Sequence, residues 1–367
     1  MKGLYIHIPF CNYICSYCDF TKSKPKNEEV MDLYIDLLIS EIKTYEQYFS
    51  EIKTIYIGGG TPSLLSLHNL EKVFKTLKTI KPIEYSIEIN PDTYTQEKGV
   101  LFKRYGINRV SVGVQTFDDD LIVSLKREHT KEEVLFAINS LNELEIANIN
   151  LDLIYAIPSQ TVKQVENDLK VIEGLKGKIK HVSYYSLILE ENTFFYHQYM
   201  RDKIKLIDED TELKMLSLVM EKLPQFGFNH YEISNYALSG YESKHNLLYW
   251  TNQEYIGCGL GASGFLKKQR IKNNHVHSKY KNKFINTIIN EKLDDTLANE
   301  FIFGLRKIEG VNLDEINDKY AINTFERYPF INELIHEHLL EYDEFTKYLK
   351  LTKKGLTLGN QVFINFI

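Results

Sequence analysis

The chain is predicted to be an α/β protein built around a parallel β-sheet. Three observations carry that prediction: six short β-rich runs in the first half, a stretch of helical periodicity between successive runs, and a change of pattern beyond about residue 205. The runs fall at 4–8, 54–57, 85–89, 109–114, 149–155 and 181–187, and the helical stretches at 29–49, 67–79, 95–105, 131–145 and 161–175. Strands that alternate with helices pair in parallel through right-handed crossovers. Periodicity leaves open whether such a sheet curls partway into a barrel or stays open and doubly wound. In both cases ligands gather at the carboxyl ends of the strands, so the residues just after each run are where chemistry is expected.

Beyond residue 205 the sequence predicts a helix over 209–223, a segment rich in glycine and aromatics over 227–274, and then mostly helices. Three units are expected: 1–205 with the strand–helix series, 206–298 as a linking α/β segment, and 299–367 as a compact helical unit. The last is read as winged-helix-like, with a strand over 347–351, a turn at Lys353-Lys354-Gly355 and a second strand over 361–367. It has no basic recognition helix.

Composition narrows the function. The 367 residues suffice for one large domain and a smaller one. A net charge of −6 and the lack of any long basic run argue against nucleic acid as a partner. Neither a signal-peptide pattern nor an 18-residue apolar stretch is found, so a cytoplasmic protein is expected. Of the four cysteines, three fall between positions 11 and 18. That crowding suits a metal better than a disulfide framework.

The first run ends in Pro9-Phe10 and enters Cys11-Asn12-Tyr13-Ile14-Cys15-Ser16-Tyr17-Cys18. Thiolates from Cys11, Cys15 and Cys18 can hold three corners of a 4Fe-4S cluster and leave one iron open. An open iron can be chelated by the amine and carboxylate of S-adenosylmethionine, whose sulfonium a reduced cluster can cleave. The alternative is a structural zinc site, which wants a fourth ligand, and His7 is the only nearby candidate.

The remaining strand ends supply polar groups. Gly58-Gly59-Gly60-Thr61-Pro62 lets the backbone approach a ligand closely enough to hold an amino group. Glu88, in Glu88-Ile89-Asn90-Pro91, stands where it can accept from ribose hydroxyls, unless it is a surface residue. Gln115 closes the fourth run, with Arg127 twelve residues on. Asp152 lies among apolar neighbours and needs a partner such as Arg127 or a ligand hydroxyl, or else belongs to a structural ion pair.

The cysteine spacing, placed directly after the first strand of a strand–helix series, resembles that of the radical S-adenosylmethionine superfamily, which implies a partial (β/α)6 barrel. With Tyr5-Ile6-His7-Ile8-Pro9-Phe10-Cys11, the glycine motif, Gln115, Arg127 and Asp152, the chain resembles the oxygen-independent coproporphyrinogen III oxidase family over nearly its whole length. The resemblance implies that Tyr5, Gly59, Gly60, Thr61, Glu88, Gln115, Arg127 and Asp152 line the S-adenosylmethionine site.

Two departures from the oxidases are visible. Phe20 stands where they carry a further cysteine, and only ten residues precede Cys11 where they have a longer extension. Both match the heme-chaperone branch of that family, known as HemW. That branch implies heme as cargo, passed to acceptor proteins such as respiratory heme proteins, with no residue assigned a catalytic role. Coproporphyrinogen oxidation is the alternative, and whether S-adenosylmethionine is cleaved in turnover stays open.

The segment His245-Asn246-Leu247-Leu248-Tyr249-Trp250 resembles the HNxxYW pattern tied to heme binding in that branch. Its imidazole is a candidate axial ligand, and its aromatics offer flat apolar surface. A His-Asn turn with its aromatics in the core is the competing reading. Ser263 replaces a histidine usual in the family's glycine-rich segment, and Cys258 is read as a buried apolar-like side chain. A homodimer and peripheral membrane contact fit the family likeness, although no basic amphipathic helix points to lipid.

Overall fold

The computed structural model describes residues 2–367. Its first half alternates as the periodicity demands: β1 (Lys2–Ile8), α1 (Glu28–Lys43), β2 (Ile52–Gly59), α2 (Leu67–Leu77), β3 (Glu84–Ile89), α3 (Gln96–Arg104), β4 (Arg109–Gln115), α4 (Asp119–Ser124), α5 (Lys131–Glu143), β5 (Asn148–Tyr155), α6 (Val162–Gly174) and β6 (His181–Ser186). Side-chain caps set the helix starts. Asn27, Ser66, Thr95, Thr130 and Thr161 each accept from a backbone amide of the first turn, and Thr130 with Glu133 and Thr161 with Gln164 close capping boxes. The first helix ends at Lys43 and gives way to a separate 3-10 turn at Glu46–Tyr48, earlier than the sequence predicted. Helix α4 was not foreseen.

Strands β1 to β6 pair in chain order, all parallel, and form the partial (β/α)6 barrel. Two-residue alternation sorts their faces. Ile6, Ile8, Ile55, Ile57, Val110, Val112, Leu151 and Leu153 join the main core, which includes Tyr34, Leu38, Val73 and Phe74 of the helices. The intervening positions are polar and face the barrel interior. Tyr56 pairs with Ser86, Glu88 with Ser111 and Gly113 with Asp152 across adjacent strands. Because these polar groups leave water, they satisfy one another: Ser111 Oγ donates to Asp152 Oδ2 at 2.5 Å and Asn150 Nδ2 to Asp152 Oδ1 at 2.8 Å.

The second half enlarges the sheet beyond what was predicted. After α7 (Phe194–Tyr199) and α8 (Glu209–Gln225), β7 (Asn229–Glu232) and β8 (Asn235–Ala237) add antiparallel beside β6. After α9 (Lys244–Trp250), β9 (Tyr255–Cys258) lies parallel to β1 on its outer edge. Then β10 (Ser263–Leu266), β11 (Gln269–Asn273) and, beyond α10 (His277–Asn282), β12 (Ile285–Asn290) complete a 12-stranded sheet. Glu41 of α1 anchors this extension. Its carboxylate accepts from Gly259 N at 2.7 Å, Asn273 Nδ2 at 2.6 Å and Tyr280 Oη at 2.5 Å.

A second hydrophobic cluster, with Phe301, Ile331, Leu349, Val362 and Phe366 at its centre, organises the C-terminal region. Its helices accompany a three-stranded antiparallel sheet of Val311–Asn312, Leu340–Tyr342 and Tyr348–Leu351. The hairpin thus lies one strand earlier than predicted. Residues 361–367 are not a strand: 361–366 are helical, continuing Gly359–Phe363 into Ile364–Phe366. Val362 and Phe366 recur at helical spacing, and Phe366 stacks on Phe301 with ring centroids 4.8 Å apart. Among the described residues no helix is long and apolar enough to cross a membrane.

Burial makes stability depend on pH in two opposed ways. Glu41, Glu88, Asp168 and Glu232 are each pushed up to about 7 by burial. The folded chain therefore keeps protons that the unfolded chain has lost, and stability falls as pH climbs from the ordinary carboxyl range through about 7. Burial lowers His129 and His245 to about 3 and depresses His7, His181 and His230 as well. Those imidazoles gain protons on unfolding, so stability also falls as pH drops below about 6.5. The thermal midpoint of metal-free protein, scanned from about pH 5 to pH 8, is expected to peak just below neutrality. A steady rise to the alkaline end would contradict this assignment of the buried groups.

Candidate functional site

β1 delivers the chain into the cysteine loop, which is pinned from three sides. Cys11 N donates to Ser23 O at 3.1 Å and Ser23 N to Pro9 O at 2.7 Å, closing the loop on itself. Ser16 N donates to Leu125 O at 3.0 Å, and Phe195 N to Ser16 O at 2.9 Å. Held this way, Cys11, Cys15 and Cys18 are free thiols that border one cavity of about 380 Å³ at the carboxyl ends of the strands. Among the described residues no three His, Cys, Asp or Glu side chains converge on a point as a single ion would need. Three thiols lining one cavity are a donor set that suits a multi-iron cluster. His7 offers zinc no fourth ligand: its Nε2 is 2.7 Å from Thr21 O and its Nδ1 is 2.9 Å from Tyr5 Oη.

Burial pushes the Cys11 thiol up to about 11, and the Thr61 hydroxyl, 3.6 Å from its sulfur, opposes the shift. Arg127 Nη1 lies 3.7 Å from Cys15 Sγ. Gly60 explains the glycine motif. Its amide donates to Ile8 O at 2.7 Å, and a Cβ there would stand 2.8 Å from Phe10 O and 2.9 Å from Cys11 Sγ. The donor set and this tight cradle fit an iron–sulfur cluster.

The opposite wall is polar. Glu88 accepts from Tyr56 Oη at 2.7 Å and from Gly59 N at 3.0 Å. Arg127 does not pair with Asp152, contrary to one expectation. Its Nη2 donates to Asn90 Oδ1 at 2.9 Å and Gly113 O at 2.8 Å, while Ser111 and Asn150 hold Asp152. Gln115 ends β4 with φ at +67°, a left-handed conformation uncommon outside glycine. Cys11, Cys15, Cys18, Gly59, Gly60, Thr61, Glu88, Gln115, Arg127 and Asp152 all line this cavity. Tyr13, Tyr56, Asn90 and Tyr185 line it too and were missed, although inward alternation along β2 could have revealed Tyr56.

Tyr5 is not brought into that cavity. It borders a neighbouring one of about 510 Å³ with His7, Tyr249, Trp250, Tyr255, Arg270 and Lys272, and the two cavities share Asp19 and Phe20. Glu84 of β3 seats α9 here, accepting from Lys244 N and His245 N, both at 2.9 Å. The ring of His245 has no exposed surface. Its Nδ1 is 2.8 Å from Thr54 Oγ1, and its Nε2 is 2.8 Å from Tyr249 Oη. The structure therefore does not present His245 as an open ligand. Cys258 is fully buried.

Comparison with known proteins agrees with this geometry. The Radical SAM superfamily profile matches residues 5–172. The chain is 39% identical over 375 residues to the heme chaperone HemW of Lactococcus lactis subsp. lactis (strain IL1403), covering all of this chain and 97% of that protein. It is 36% identical over 388 residues to the heme chaperone HemW of Bacillus subtilis (strain 168), covering all of this chain and 99% of that protein. Among solved structures, coproporphyrinogen III oxidase (HemN) from Escherichia coli superposes with a TM-score of 0.85 over all of this chain and 90% of that one, at 21% identity, a likeness of fold. Similarity of this extent to curated chaperones from two organisms means that the chain belongs to the HemW heme-chaperone family of the radical SAM superfamily.

Proposed function

We propose that this protein binds heme and passes it to acceptor heme proteins, respiratory ones among them, while Cys11, Cys15 and Cys18 carry a 4Fe-4S cluster that engages S-adenosylmethionine. The observation that carries the reading is the pairing of two cavities across Asp19 and Phe20, one bordered by thiols and polar strand ends, the other by aromatics of the HNxxYW segment. When bound, the cluster supplies an open iron and a source of electrons. On the cofactor side, Gly59 and Gly60 give close backbone approach, Glu88 accepts from hydroxyls, and Gln115, Arg127 and Asp152 complete the polar wall. On the cargo side, Tyr249 and Trp250 offer flat apolar surface.

The oxidase alternative is disfavoured by charge. A substrate with four carboxylates calls for several cations at the barrel mouth. Lys22 and Arg127 are the only Lys or Arg side chains bordering the thiol-lined cavity among the described residues, and Arg127 is already engaged by Asn90 and Gly113. An anaerobic heme titration, with and without S-adenosylmethionine, tests the reading. Heme uptake with no conversion of coproporphyrinogen is expected, and formation of protoporphyrinogen would overturn it.

A further inference from the structure

One edge of the large sheet is left open. β12 ends the strand order and pairs only with β11. Glu291 N donates to Lys268 O at 2.9 Å, one step beyond the Gln269–Asn290 pair. Residues of an antiparallel strand alternate in whether they bond to the neighbour, so Thr287 and Ile289 spend their backbone groups on β11. The N–H and C=O of Ile288 point away from it, to the side where no further strand pairs. Both faces of β12 are open as well, with Ile288 52% exposed on one and Ile289 59% on the other. Proteins blunt such an edge with Pro, a bulge or charges inside the strand. Ile285-Asn286-Thr287-Ile288-Ile289-Asn290 holds no Pro and no charge, and its one irregularity, beside Asn273, leaves Thr287–Asn290 in regular register.

Charge around that edge is one-sided. From 266 to 290 the chain carries seven Lys or Arg and no Asp or Glu, although its net charge is −6. Arg270 is the one that forms an ion pair among the described residues, with Glu291 at 2.6 Å. Lys268, Lys272, Lys279, Lys281 and Lys283 are exposed. Past the strand, Asp294 is held by Arg327. Pairing of two β12 strands would bring two sets of lysines together, so the edge repels a second copy of itself. A phosphate-bearing surface would meet the cations yet leave the Ile288 backbone groups unpaired. We propose that β12 is a docking strand, and that an acidic, β-forming segment of a partner protein extends the sheet there. An added strand takes its affinity from main-chain bonds and its specificity from side chains. Such a partner lies one strand away from β11, whose Arg270 and Lys272 border the aromatic cavity, and docking brings it to the rim of that cavity.

The probe is a labelled peptide of about eight residues that alternates valine with glutamate, N-methylated along one edge so that it cannot pair with itself. Fluorescence anisotropy with the full-length protein should show binding that weakens as salt is added. The same peptide with lysine for glutamate should bind about tenfold more weakly. Ile288→Pro removes an N–H that β11 does not use, so the thermal midpoint should hold while affinity for the acidic peptide falls about tenfold. Lys281→Glu combined with Lys283→Glu leaves every backbone group in place and should narrow the preference for the acidic peptide. Equal binding of both peptides, or binding of neither, would overturn the proposal. So would uptake by phosphatidylglycerol vesicles without peptide binding, or a dimer that Ile288→Pro turns into a monomer, since each gives the edge a different occupant. No arm of the test involves heme or iron, so its outcome is separate from that of the heme-binding reading.

Discussion

With alanine in place of Cys15, the protein is expected to hold no stable iron–sulfur cluster after anaerobic reconstitution. Three thiols on one pinned loop border the cavity, and among the described residues the only other cysteine, Cys258, is fully buried beside β1 and absent from the cavity lining. Two thiolates cannot hold three corners of a cubane, and the candidate replacement His7 has both ring nitrogens engaged. The metal-free fold should be nearly unaffected, because Cys15 is only partly buried and its loop is held by backbone bonds through Ser16 and Ser23. Its stability change should stay within about 0.5 kcal/mol. Iron and sulfide content, with the brown colour, reads the result, and zinc content on the same sample reads the competing metal. A full complement of iron in Cys15→Ala would mean that the ligand set is wrong.

The second large effect is expected from Gly60→Ala. The new methyl would meet the carbonyl oxygens of Phe10 and Ile8 at 2.8 Å and 3.0 Å and the Cys11 sulfur at 2.9 Å. Two of those neighbours are backbone, and the Gly60 amide is itself bonded to Ile8 O. The strain therefore has no flexible side chain to absorb it, and the cysteine loop must move. A destabilisation of about 1–3 kcal/mol is expected, together with loss of most cluster uptake and of S-adenosylmethionine binding. Gly106→Ala serves as the control. That glycine has φ at +78° but open space around it, so it should cost backbone strain while leaving the cluster intact. Equal iron content in the two variants would show that the close approach at Gly60 is dispensable.

The barrel was legible in the sequence because its strands are short apolar runs between capped helices, and each helix start carries its own Ser, Thr, Asn or Asp. The cysteine loop, the glycine motif, Glu88, Gln115 and Arg127 were legible because they sit where strands end. Less was visible where pairing partners lie far apart in sequence. β9 is four residues long and contains a glycine, and nothing local tells that it lies parallel to β1, some 250 positions away. Asp152 was expected to need Arg127, a ligand hydroxyl or a structural ion pair, yet Ser111 of the neighbouring β4 and Asn150 of its own strand hold it, and the Ser111 contact is set by register rather than by local pattern. Tyr5 was carried to the cofactor cavity by resemblance, but its hydroxyl turns to His7 and the adjoining cavity. The terminal residues 361–367 look β-prone by composition, and only the aromatic cluster around Phe301 explains why they coil instead.

Tyr56 stands between the two cavities: its ring stacks on His245 with centroids 5.4 Å apart, and its hydroxyl holds Glu88. If the two cavities take the porphyrin and the nucleotide proposed above, both occupants lean on one shared post. Thermodynamic reciprocity then applies: whatever factor a bound nucleotide imposes on the grip for porphyrin, porphyrin must impose on the grip for nucleotide. A full cargo hold would be felt at the sulfonium, and an absent sulfonium would be felt by the cargo.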